Sequence, residues 1–159
     1  MKTKQIPYYN TKLSADESKI DIINLLKANE IVDTQWQTYK GDTTLGFIHA
    51  VNLKGVEREV GFTFKIPVIL VPRKQYSKSK NRYETIQVPH EAAAYRLLYW
   101  YIDVRLKAVK YGLETIEHAF MSHIISSLPD GTRTTFAEEL DKAVELGQVR
   151  ALPQPRQEV

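Results

Sequence analysis

Few residues in this chain are of the types that do chemistry. It has four histidines, His49, His90, His118 and His123, and no cysteine. His118 and His123 are five residues apart, so on a helix their side chains diverge by about a third of a turn or more and cannot grip one metal. Neither an HExxH motif nor a two-histidine-plus-carboxylate spacing is present. His49 alternates with Phe47 and Val51 and reads as a hydrogen-bonded histidine at a sheet margin; His123 reads in the same way beside a helix core. Asp42, Glu57 and Glu59 could in principle hold a magnesium ion in a nuclease-like site with Lys65 nearby. Lys65 falls on the same strand and face as Glu59 but about 20 Å along it, so solvated turn charges are the better reading. Glycines form neither GxGxxG nor a P-loop, and no serine has a nucleophile-elbow setting. The residues therefore point to no catalytic set, no metal and no cofactor, and to a binding protein rather than an enzyme.

One segment does point at a ligand class. Lys65 to Arg82 reads KIPVILVPRKQYSKSKNR, with Lys65, Arg73, Lys74, Lys78, Lys80 and Arg82 basic and no acidic residue. Such a run repels itself and offers several cations to a polyanion. Tyr76 and Tyr83 lie among or beside the charges, where a ring could stack on a base. The candidate nucleic-acid-binding residues are therefore Arg73, Lys74, Tyr76, Lys78, Lys80, Arg82 and Tyr83, on a basic loop spanning 72–83. The wider charge distribution agrees. Residues 1–83 hold 14 Lys and Arg against 8 Asp and Glu, and residues 84–159 hold 8 against 11. The net charge of +3 thus conceals a basic first half, a polarity suited to presenting one face to nucleic acid or another anionic surface.

The length and the ordinary apolar and charged fractions predict one domain with a real core. Without cysteine, disulfides, thiolate catalysis and cysteine-based metal sites are excluded. The N-terminus lacks an apolar signal region, and no apolar run approaches a membrane span, so a soluble cytoplasmic protein is expected.

The positioning elements follow from periodicity. Residues 1–13 read as a basic arm carrying Tyr8 and Tyr9. Ser14 to Glu17 is a capping box opening an amphipathic helix to about Asn29, with Ile20, Ile23 and Leu26 as its stripe, widened by Ile22 and Leu25. Thr34–Lys40, Thr44–Leu53 and Glu57–Ile66 alternate with period two and are joined by Gly-containing turns, the pattern of an antiparallel meander with one buried face. Pro67 ends the third strand, and Val68–Val71 is a candidate for a fourth. A long helix from about His90 to Tyr111 is stopped by Gly112 and is apolar around most of its circumference. Arg96, Asp103, Lys107 and Lys110 form its polar strip. A helix over about 115–127 follows, then a turn at Pro129-Asp130-Gly131. A second capping box, Thr135 to Glu138, opens a last helix with Phe136, Leu140, Ala143 and Val144 on its stripe. Tyr95, Tyr99, Trp100, Phe120 and Phe136 sit at core spacings. Residues 151–159 read as a flexible tail.

The expected fold is α+β: a three- to four-stranded antiparallel sheet, an N-terminal helix, a long central helix and two C-terminal helices, as a single domain over 14–150. Its first part has the α-β-β-β-α order of the double-stranded-RNA-binding fold, whose last helix begins with phosphate-facing lysines. Here the basic cluster precedes that helix, and His90-Glu91-Ala92 carries no lysine. The second half carries Tyr95-Arg96, Trp100, Arg105 to Val109, Gly112, Thr115, Phe120, Ile124, Pro129-Asp130-Gly131 with Thr134, and Leu152-Pro153. On these residues, over about 90–153, it resembles a family of small bacteriophage and mobile-element proteins. That family has no established activity, so the resemblance implies a viral or prophage origin, with the host cytoplasm as the expected location if viral, and carries over no functional residue.

These readings lead to a non-enzymatic accessory protein that contacts DNA or RNA phosphates through its basic loop. The alternative is a protein–protein adaptor or homo-oligomer using the outer face of the long helix.

Overall fold

The computed structural model describes residues 8–53, 55–128 and 130–148. Residues 1–7 of the expected arm, Pro129 of the expected turn and the 151–159 tail lie outside the described residues. The architecture is α+β. Helix α1 (Ala15–Ala28) is followed by β1 (Thr34–Tyr39), β2 (Asp42–Leu53) and β3 (Val56–Lys65), an antiparallel sheet in the order β1-β2-β3. A hairpin, β4 (Leu70–Ser77) and β5 (Arg82–Pro89), then leads into the long helix α2 (Glu91–Lys110). The chain closes with α3 (Ile116–Ala119), a 3-10 turn (Met121–His123), the short strands β6 (Ile125–Ser127) and β7 (Arg133–Thr135), and α4 (Phe136–Glu145). No helix of the described residues is long and apolar enough to cross a membrane.

Local chemistry sets the helix ends. Ser14 caps α1 by accepting the Glu17 N–H at 3.1 Å, while Glu17 accepts the Ser14 N–H at 2.7 Å; each bond satisfies a donor the helix cannot. Thr135 and Glu138 repeat the arrangement at α4. His90 caps α2 through Nδ1, which accepts the Ala93 N–H at 3.1 Å. Gly112 ends α2 at φ +74°, a conformation that costs a Cβ-bearing residue energy. Its N–H bonds to the Val109 carbonyl, and that of Leu113 to Ala108, the paired closure of a Schellman motif.

One face of the sheet is buried. Register places Leu45 opposite Phe64 and Phe47 opposite Phe62. These rings meet Ile22 and Leu26 of α1, Leu98, Ile102 and Leu106 of α2, and Phe120 in one apolar cluster. Helix α2 therefore packs on the sheet and on α1, the two-sided burial its composition requires. Phe120, fully buried, presents its edge to Phe47, Phe62 and Phe64, the favoured arrangement for ring quadrupoles.

Four expectations are corrected. The segment 72–83 is no loop: it is most of the β4–β5 hairpin, with only Lys78–Asn81 in the turn. The helix expected over 115–127 ends after one turn, because Ile124 pairs with Phe62 at the open edge of β3 and Ile125–Ser127 beyond it form β6 against β7. Trp100 and Phe136, expected in the core, are 39% and 40% exposed. On α1 the buried positions are Ser18, Ile22 and Leu26, while Ile20 faces solvent. Within the polar strip of α2, Asp103 is buried and bound to Lys107 at 2.6 Å.

Two polar contacts fasten the C-terminal segment to the sheet. His123 stacks on Phe64 with ring centroids 4.2 Å apart. Its Nδ1–H donates to the Thr63 carbonyl at 3.2 Å, leaving Nε2 to accept the Tyr101 hydroxyl at 3.1 Å. Burial lowers the imidazole pKa below its ordinary value, against the opposing pull of the Thr63 bond. The neutral ring therefore stabilises the fold above the usual histidine pKa. That contribution declines as the pH falls below about 6.5, because the unfolded chain binds the proton more readily. The urea midpoint should fall between neutral pH and pH 5, and His123→Gln should flatten that fall; an unaltered slope would assign it to other groups.

Glu138 is the second fastening. It accepts from Lys65 of β3 at 3.0 Å, from the Thr134 hydroxyl and from the Thr135 N–H. The Lys65 ammonium, with those two donors, holds its carboxyl at about 2. A depressed carboxylate stabilises above its ordinary pKa and loses that contribution as the pH falls toward 2. The side chain is 44% exposed, so solvent screening and the loss of one cap together limit Glu138→Ala to about 1 kcal/mol. Hydrogen exchange should show α4 amides opening faster in that variant, with the β1–β2–β3 amides unchanged.

Candidate nucleic-acid interface

The basic residues lie on a two-stranded ribbon. β4 and β5 pair in register from Leu70↔Pro89 to Ser77↔Arg82, eight pairs and roughly 26 Å at strand rise. Pro72 is tolerated because a ribbon has two open edges. The turn closes over Lys78–Asn81, with Asn81 at φ +50°, a position where asparagine is among the least strained non-glycine residues. Of the sixteen strand residues only Val71, near the root, is buried. The root itself is fixed where the His90 N–H bonds to the Ile69 carbonyl at 2.8 Å and Tyr9 of the arm rests against the His90 ring. A cleft of about 490 Å³ lies beside it, lined among others by Asp42, Lys65, Pro67, His90 and Tyr95.

Opposed residues of a hairpin share a face, so the register sorts the candidates. Arg73, Gln75, Ser77, Arg82, Glu84 and Ile86 share one face; Pro72, Lys74, Tyr76, Tyr83, Thr85 and Gln87 share the other. Lys78 and Lys80 are in the turn. The fold brings all seven expected residues onto one projecting element, with the arginines on one face and Lys74 with both tyrosines on the other. Tyr76 and Tyr83 are directly opposite and meet edge to face at 5.2 Å. The Tyr76 hydroxyl also bonds to the Asn81 side chain. Their rings engage each other first, although Tyr83 remains 72% exposed.

The sequence reading missed Glu84. It accepts from Lys80 at 3.0 Å and Arg82 at 3.3 Å, so two of the cations have an acidic partner just beyond the acid-free run. The available signal was only the two-residue spacing of Arg82 and Glu84, which puts them on one face once the segment is known to be a strand. Arg73, Lys74 and Lys78 have no ion pair among the described residues, and the ribbon's tip keeps a surplus of positive charge.

The carboxylates considered for a nuclease site are not brought together. Asp42 opens β2 opposite Tyr39, whereas Glu57 faces Asn52 near its other end, about 33 Å away along the strand. No group of three or more histidine or acidic side chains with metal-site geometry occurs among the described residues. Comparison with family models, curated proteins and solved structures finds no match to this chain.

Proposed function

We propose that this chain is a non-enzymatic nucleic-acid-binding accessory protein whose β4–β5 ribbon contacts phosphates. The observation that carries this reading is a projecting ribbon, exposed on both faces, that bears Arg73, Lys74, Lys78, Lys80 and Arg82 and a single acidic residue. Cations on an element that packs little of its own surface have no structural duty to the core and remain available to a polyanion. A phage or mobile-element origin belongs to the same proposal, on the sequence likeness of residues 90–153.

The test is a fluorescence-anisotropy titration with labelled DNA and RNA at low and at physiological salt. Saturable binding is expected, with log affinity falling linearly in log salt by about 0.7–0.9 per phosphate contacted. Absence of binding even at low salt would sink the reading.

A second reading is supported by exposed apolar side chains. Phe136, Leu140 and Val144 repeat every four residues on α4 and are 40%, 46% and 57% exposed, and Trp100 and Val104 are exposed on α2. Such stripes are the pattern of a protein-binding or self-associating surface. Light scattering over a broad concentration range tests self-association, and a strict monomer counts against it.

A further inference from the structure

Resting on the nucleic-acid reading above, we propose that the ribbon enters the major groove of duplex DNA tip first, with one face toward each sugar–phosphate wall. Three features of the ribbon select a duplex over a single strand. Its cations occur on both faces: Arg73 and Arg82 on one, Lys74 on the other, with Lys78 and Lys80 at the tip between them. A single strand presents one line of phosphates and would leave one of those faces unused. A groove presents two lines, on opposite sides of whatever enters it. The tyrosines argue the same way. Single-strand binders offer flat, open rings to successive bases, whereas Tyr76 and Tyr83 are turned edge to face against each other.

Width then selects the groove and the helix form. Stacked sheets lie about 10 Å apart, the room one sheet takes with its side chains interleaved; the major groove of B-form DNA is about 12 Å wide and the minor groove about 6 Å. The major groove of A-form RNA is too deep and narrow for side chains to read. With an insertion depth of about 8.5 Å, Lys78, Lys80 and Arg82 enter the groove. Arg73 and Lys74, three to four residue pairs back, stand near the phosphates of its rim. Asn81 at the tip, whose Oδ1 already accepts the Tyr76 hydroxyl, keeps its amide N–H donors for an acceptor on a base edge.

The experiment compares one sequence as labelled DNA duplex, RNA duplex and each DNA single strand, binding the full chain at a fixed low salt. DNA duplex should bind at least about tenfold more tightly than the others. Methyl green in the major groove should compete, and netropsin in the minor groove should not. Arg73→Ser and Lys74→Ser, on opposite faces, should each weaken duplex binding by similar factors. Equal or tighter binding to a single strand or to RNA, displacement by netropsin, or an effect confined to one face overturns the groove assignment and leaves nucleic-acid binding standing. Failure to bind any of the probes removes both.

Discussion

The variant with Arg73, Lys74, Lys78, Lys80 and Arg82 all replaced by Ser is expected to lose nucleic-acid affinity by roughly 10²–10³-fold near 0.1 M salt. Each phosphate neutralised by a cation releases counterions, and about three such contacts account for a loss of that order. The contributions should be unequal. Lys80 and Arg82 already share Glu84, so part of their charge is spent before any ligand arrives. Arg73, Lys74 and Lys78 should each cost more on replacement than Lys80. The salt dependence should flatten in parallel, which separates lost phosphate contacts from a general loss of folded protein. Folding is the control: these are exposed side chains, and each should change stability by no more than about 0.5 kcal/mol. Unaltered affinity in the fivefold variant would rule out the ribbon as the contact surface.

Phe120→Ala is expected to cost about 3–5 kcal/mol, the range for removing a fully buried aromatic ring. Phe120 is 0% exposed and meets four rings, those of Phe47, Phe62, Phe64 and Tyr101. It is also the point where the chain leaves α3 and turns toward the edge of β3. Its loss therefore opens a cavity and loosens the anchor of the C-terminal segment together. Set against a typical total of 5–15 kcal/mol, the change should be large in a urea unfolding curve followed by tryptophan fluorescence. A shift below about 1 kcal/mol would mean that the cluster collapses around the gap more readily than its geometry implies.

Much of this fold is legible in the sequence because its signals are local. The two capping boxes locate the starts of α1 and α4, and the alternation in β2 and β3 names the residues that face the core. The elements that were misread are those whose signals are decided elsewhere in the chain. Ile124 and Ile125 suit a helix stripe as well as a strand, and pairing with Phe62 decides between them. The ribbon is wet on both faces, so it lacks the apolar alternation by which a half-buried strand is recognised. Its charged residues were found by type alone, and their division between two faces became visible only with the register. Trp100 and Phe136 show the same limit from the other side. Periodicity finds an apolar stripe but cannot tell whether anything covers it.

The root of the ribbon carries a consequence for how the chain can change over time. Ile69 and His90 are joined by a backbone hydrogen bond of 2.8 Å, so the twenty residues between them leave and re-enter the body at one point. A short connector could close that gap without moving β3 or α2. The ribbon is thus a detachable module. The main core cluster contains no ribbon residue, so under the proposed function changes in the ribbon's charge and tip would act on the ligand and changes in the cluster on the fold, with Val71, buried at the root, the one position answering to both.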